Sequence, residues 1–178
     1  MTHNAFSTTV KIVLGESLIA SSFATVIVIV FDVPVWAMFI GWISFFTRGL
    51  TLQHGIINLA CVLIGVILGI CAAQALSMLT PHLDSYAISV VVFAITVITL
   101  SLAKAPIFNN LLSIFLGLVA YFALHTPQSI TAFGVLVLAT TLGATAAFLA
   151  HFLQKYLQRH AAARSLPSPN AMRQSLKQ

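Results

Sequence analysis

Six apolar stretches, most of them about as long as a membrane-spanning helix, follow one another along this chain with only short polar breaks between them. That succession constrains the fold more than any other feature. A hydrocarbon core of about 30 Å needs roughly 20 apolar residues in a helix to cross it, and a lipid-exposed backbone must satisfy its own N–H and C=O groups. The stretches lie at residues 10–31, 35–47, 54–79, 85–103, 108–124 and 130–157. The second is under-length for a perpendicular crossing, so it is expected either to be extended by its flanks or to lie partly buried between neighbours. Charged residues make up only 6% of the chain, against about 25% in soluble domains, which excludes a water-soluble globule. The expected architecture is an all-α integral membrane protein with a short cytoplasmic segment at 1–9, a six-span domain at 10–157 and a basic cytoplasmic tail at 158–178.

Pro34, Pro81, Pro106 and Pro127 fall between stretches or in a first turn, where a missing N–H costs little. No positive cluster precedes the first stretch and no small-residue cleavage site follows it, so it reads as a retained helix. With the N-terminus inside, Lys11, Arg48, Lys104, Lys155, Arg159, Arg164, Arg173 and Lys177 all fall on the cytoplasmic side. Asp32, His82, Asp84 and His125 fall on the other. An excess of Lys and Arg in cytoplasmic loops is the standard orientation signal, so both termini are expected in the cytoplasm. The net charge of +5 is then a topology signal and not a nucleic-acid footprint. The tail, whose Ser165, Pro167, Ser168 and Pro169 mark a flexible end, is expected to touch anionic headgroups.

Comparison of the chain with itself shows two matching segments 76 positions apart. Phe39-Ile40-Gly41-Trp42-Ile43-Ser44-Phe45-Phe46 recurs as Phe115-Leu116-Gly117-Leu118-Val119-Ala120-Tyr121-Phe122. A second match, Leu68-Gly69-Ile70-Cys71-Ala72-Ala73 with Leu142-Gly143-Ala144-Thr145-Ala146-Ala147, is offset by 74. Two matches in one order suggest a duplication with halves at about 10–79 and 85–157. A unit of three spans re-enters the membrane from the opposite face, so the repeat is expected to be inverted, as in many channels and carriers. Phe39, Gly41, Phe45, Phe46, Phe115, Gly117, Phe122, Gly69 and Gly143 are its packing residues. Gly, Ala and Phe are also common in any transmembrane helix, and composition alone supplies part of the likeness.

Polar residues within apolar stretches are the candidate pathway groups, because each needs a partner or water there. Glu16 is either a protonatable or solute-contacting group or a carboxylate paired with Lys11 near the interface. His54, Asn58, Cys61, Gly65, Gly69 and Ala72 recur every three or four residues and share one helical face. That face reads either as an entrance lined by His54 and Asn58 or as close small-residue packing. Ser85, Ser89, Thr96 and Thr99 form a hydroxyl stripe suited to packing. One of Asn109 and Asn110 is explained as a helix cap; the other is left over. Arg48, just after the aromatic motif, is either an interfacial anchor or a cation at a constriction, and His125 takes the nearest matching place at the opposite mouth. Ser44 and Tyr121 complete the pathway candidates.

No nucleotide-binding glycine motif and no His-Glu-x-x-His run is present. Cys61 and Cys71 sit ten apart on one helix, too far to bridge. A non-enzyme without metal or cofactor is expected.

Trp36-Ala37-Met38-Phe39-Ile40-Gly41-Trp42 with Phe45-Phe46, then Pro81-His82-Leu83-Asp84, then Phe115-Leu116-Gly117 with Tyr121-Phe122-Ala123 resembles a family of small bacterial inner-membrane proteins of unknown function typified by YcdZ. The resemblance covers residues 18–150. It implies a bacterial inner-membrane location and about six spans, and carries no activity over. Thr47-Arg48-Gly49 departs from the small or glycine-rich pattern after the aromatic pair, which weakens Arg48 as a general functional residue. The expectations are, first, a homo-oligomeric channel or facilitator for a small polar or anionic solute. The alternatives are a proton-coupled carrier using Glu16 and a membrane subunit without a pore.

Overall fold

The computed structural model describes residues 2–125 and 130–165. They form six helices and, among the described residues, no strand: α1 (Thr2–Phe31), α2 (Val35–Phe46), α3 (Leu52–Leu83), α4 (Tyr86–Leu102), α5 (Leu111–Ala123) and α6 (Ile130–Ser165). Three segments are long and apolar enough to cross a membrane, Phe6–Phe31, Leu52–Leu83 and Thr131–Ala163, while α2, α4 and α5 are shorter apolar helices.

Each helix matches one apolar stretch, and the differences lie at the ends. α1 begins at Thr2 and takes in most of the segment expected to precede the membrane. α6 runs on to Ser165, eight residues past the apolar stretch, because no Pro or Gly interrupts it before Pro167. The remainder of the tail, with Pro167, Ser168, Pro169, Arg173 and Lys177, lies outside the described residues, as does Pro127. Pro81 does not punctuate as expected, because it sits inside the last turn of α3, which continues to Leu83. The turn survives because the Asp84 N–H reaches past the proline to the Thr80 carbonyl at 2.9 Å.

Cap chemistry fixes two helix starts. Thr51 Oγ1 accepts from the His54 N–H of α3, and Asn110 Oδ1 accepts from the Ser113 N–H of α5, both at 3.3 Å; such caps satisfy donors that a helix start leaves over.

Helix packing follows an interlocked pattern: α2 lies closest to α6 and α5 closest to α3, while α1 packs on α6 and α4 on α3. Glycines make the two closest contacts. A Cβ on Gly143 would overlap the Met38 carbonyl oxygen and stand 2.9 Å from the Trp42 nitrogen of α2. A Cβ on Gly65 would overlap the Ile114 carbonyl oxygen and stand 2.9 Å from the Leu118 nitrogen of α5. In return Gly41 faces the main chain of Thr140, and Gly117 faces that of Val62 and Val66. Small residues permit this backbone approach, which supplies the van der Waals contact that holds helices together in lipid. Gly69 lies one turn away from this crossing, against the Tyr121 side chain, so the contact of Gly143 is matched by Gly65 and not by Gly69. The aromatic pairs also correspond: Phe45 meets Phe46 edge-on at 5.3 Å, and Tyr121 meets Phe122 at 5.6 Å.

An apolar core of Ile27, Val33, Ala37, Met38, Val66, Ala120, Tyr121, Leu136 and Ala139 fills the centre toward the end where α1 and α5 stop. The other end of the bundle is built differently.

Candidate functional site

Where the end of α2 meets the starts of α3 and α5, apolar packing gives way to hydrogen-bonding side chains. Asn58 of α3 is fully buried. Its Nδ2 donates to the Arg48 carbonyl at 2.9 Å and the Phe45 carbonyl at 3.5 Å, so it takes up acceptors that the end of α2 leaves over. Its Oδ1 accepts from Asn110 Nδ2 at 2.7 Å, and the same amide nitrogen donates to Thr47 Oγ1 at 2.6 Å. Thr47 in turn donates to the Ser44 carbonyl at 2.7 Å. The hydroxyl of Ser113 lies 3.0 Å from that of Ser44 and 3.1 Å from that of Thr47. Five side chains from α2, the loop after it, α3 and the start of α5 thereby form one uncharged network. Buried polar groups in lipid need this mutual satisfaction.

The rim of the network carries the charge. Arg48 is exposed, and its guanidinium donates to Asn109 Oδ1. Asn110 is therefore the cap and Asn109 the arginine's partner, which accounts for both asparagines. Gly49 turns the chain back with φ +62°, and the nearest His54 ring atom would lie 2.5 Å from a Cβ placed there. His54 Nδ1 pairs with Thr51 Oγ1 at 2.8 Å, so this histidine sits under the α2–α3 loop. His125, after α5, has a similar φ of 51°, and its Nδ1 meets the Ala123 carbonyl at 2.7 Å.

Of the residues singled out in the sequence, Ser44, Arg48, Asn58 and Asn109 come together, with His54 beside them. Glu16 does not join them. It is half-buried on α1, next to Gly15, which packs against Leu153 of α6. Tyr121 is buried in the apolar core against Gly69, and His125 is exposed after α5. Eight side chains were expected along one pathway, and Glu16, Tyr121 and His125 stand apart because the face of an isolated helix does not reveal which neighbour it meets. On α3, Asn58, Cys61, Gly65, Gly69 and Ala72 are all buried, so the stripe is one face. Its start belongs to the network and its glycines to packing. Thr99 of α4 turns its hydroxyl to the Ile95 carbonyl of its own helix at 2.8 Å.

Thr47 and Ser113 were missed. Their signal was the three-residue spacing of Ser44 with Thr47 and of Asn110 with Ser113 in otherwise apolar sequence, which puts each pair on one face. His151 of α6 was also missed. It is buried, its ring lies 6.1 Å from that of Phe45, and neither ring nitrogen has a hydrogen-bond partner. Among the described residues no group of three or more His, Cys, Asp or Glu is placed to hold a metal ion.

Residues 13–154 match the family described as protein of unknown function (DUF1097). The chain belongs to the DUF1097 family. The match takes in the whole network, both glycine crossings and His151. No curated protein and no solved structure matches the chain.

Proposed function

We propose that this DUF1097 protein is an inner-membrane facilitator for a small polar solute, built from two inverted three-helix halves, with the uncharged network as its solute-facing end. The observation that carries the reading is the buried cluster of amides and hydroxyls shared by three helices in an otherwise apolar bundle. Polar groups in lipid are costly and tend to mark pathways.

The inverted repeat rests on matched contacts. α2 and α5 correspond with an offset of 76, through Met38 with Ile114 and Trp42 with Leu118; α3 and α6 correspond with an offset of 78, through Val62 with Thr140 and Gly65 with Gly143. The two extra residues are absorbed between α5 and α6. On this correspondence the network has an apolar twin. Of the network, Ser44 pairs with Ala120, Ser113 with Ala37 and Asn58 with Leu136, and all three partners lie in the apolar core. One end of the duplicated path thus offers hydrogen bonds while the other is sealed by apolar side chains, the asymmetry expected of a closed gate opposite a binding end.

On a six-span reading, the start of α1, the end of α6 and Lys11, Arg48, Lys104, Lys155 and Arg159 would lie on the network's side. The positive-inside rule supports reading this as the cytoplasmic face of an inner membrane. Glu16 lies outside the network, so the geometry favours facilitation over coupling to protons through that carboxylate. The test is stopped-flow light scattering of proteoliposomes challenged with urea, glycerol, formate, acetate and ammonium. Flux of one solute class above that of empty vesicles, altered in Arg48→Ala, is expected. Flux equal to empty vesicles for every solute, from folded protein, contradicts the proposal and leaves the subunit reading.

A further inference from the structure

His151 is the one residue among those described whose buried side-chain polar atoms have no hydrogen-bond partner. Its neighbours in the same situation are all paired, including Ser44, Asn58, Asn110 and Ser113 in the network and Thr99 and Thr140 on their own helices. A buried polar group without a partner calls for an explanation, a functional role among them. The surroundings of His151 are aromatic. Phe45 lies over it with ring centroids 6.1 Å apart and planes tilted by 54°, and the same Phe45 ring meets Phe148 edge-on at 6.1 Å. Gly55 of α3 leaves room for that ring, since a Cβ there would stand 2.9 Å from it.

Phe45 connects this histidine to the network. Its ring lies beside His151, its carbonyl accepts from Asn58, and its chain neighbour Ser44 contributes a hydroxyl. A shift of the end of α2 that releases the Asn58 bond therefore also moves the ring from His151. In the other half, the position matching His151 is Ala73, packed against the apolar core that contains Tyr121. The imidazole is thus a polar group on the network's half alone.

We propose that His151 is a solute-contacting residue of the path, covered by Phe45 in this closed conformation, and that the solute is a small monocarboxylate. The inference rests on the facilitator reading. An imidazole N–H donates to a carboxylate oxygen, and the rings of Phe45 and Phe148 suit a short alkyl stub. Arg48 at the rim favours an anion over a cation, and no carboxylate belongs to the network. Of the three carboxylates, Asp32 and Asp84 lie at the ends of α1 and α3, on the far side, and Glu16 lies on α1 outside the network.

The experiment uses the full chain labelled with ¹⁵N-histidine in lipid, with the His151 resonances assigned by their loss in His151→Phe. Acetate is expected to shift them where sodium chloride at equal ionic strength does not. His151→Phe, which replaces an unpaired imidazole by a ring of similar size, is expected to unfold no earlier than the parent and to lose acetate flux at least tenfold. His151→Gln, which keeps a donor and an acceptor, is expected to retain more flux than His151→Phe. Wild-type acetate flux in folded His151→Phe, with resonances that acetate leaves unmoved, overturns the assignment. Shifts caused by urea and not by acetate overturn the solute class. Acetate-dependent shifts without flux uphold the site and overturn the facilitator reading, whereas neither shift nor flux overturns both.

Discussion

Replacing Gly143 by alanine should destabilise this protein, although the same change elsewhere in a helix usually helps. The new Cβ would overlap the Met38 carbonyl oxygen, 2.8 Å from its carbon and 2.9 Å from the Trp42 nitrogen. These are main-chain atoms of α2 and have no rotamer to yield, so α2 must back away from α6 along their whole contact. Overpacking of this kind costs about 1–3 kcal/mol, and a contact limited by backbone belongs at the upper end. Alanine returns about 1 kcal/mol through helix propensity, which leaves a net loss of about 2 kcal/mol. Gly134, on the same helix, has nothing within 4 Å of its missing Cβ, so Gly134→Ala keeps the gain without the clash. The two variants should therefore differ by about 3 kcal/mol, or roughly 6–12 °C in unfolding temperature for a chain of this size. Thermal unfolding followed by size-exclusion chromatography in mild detergent measures this difference. Equal unfolding temperatures for the two variants would refute the packing argument.

Other perturbations address the network and the topology. Asn58→Leu, which copies the apolar twin Leu136, strips partners from Asn110 and from the carbonyls at the end of α2; it should cost about 2 kcal/mol or more in the same unfolding assay, since unpaired buried groups carry about 1–3 kcal/mol each. Ser44→Ala and Ser113→Ala should couple in a double-mutant cycle by about 0.6 kcal/mol, the usual worth of one interhelical hydrogen bond in a membrane protein, and strictly additive losses would deny the bond. On a background lacking Cys61 and Cys71, Lys104→Cys should react with an impermeant maleimide from the face that bears the termini and Asp84→Cys from the other; labelling of both from one face would contradict six spans.

The helices were legible because apolar length, proline placement and caps are local properties. Val35 to Phe46 is bounded by Pro34 and by the turn at Gly49, and both signals lie in the sequence beside it. Helix overruns at Thr2 and Ser165 were not legible from hydropathy, since a helix leaving the membrane needs no apolar residue to continue. The candidate site was half legible. Asn58, Ser44 and Arg48 stand out as polar groups in or beside apolar stretches, but their meeting depends on α2 crossing α6 and α5 crossing α3, which are long-range contacts. Gly143 illustrates the difficulty, because its sequence match is Gly69 whereas its contact match is Gly65. A shift of one helical turn preserves the face and the small-residue pattern, so only the packing distinguishes the two registers. His151 was hidden for a related reason: in a long helix rich in Ala and Leu, nothing local says that its ring meets Phe45.

The proposed path has unlike ends, one offering hydrogen bonds to a solute and the other closed by its apolar twin. Cysteine accessibility at matched positions tests this most directly. Ser44→Cys and Ala120→Cys, each on the background lacking Cys61 and Cys71, would be exposed in intact and inverted vesicles to a small water-soluble thiol reagent, with and without acetate. Reaction of Ser44→Cys from the face bearing the termini, slowed by acetate, with Ala120→Cys unreactive from either face, is the predicted result. Equal reaction at both positions, or reaction at Ala120→Cys alone, would contradict it.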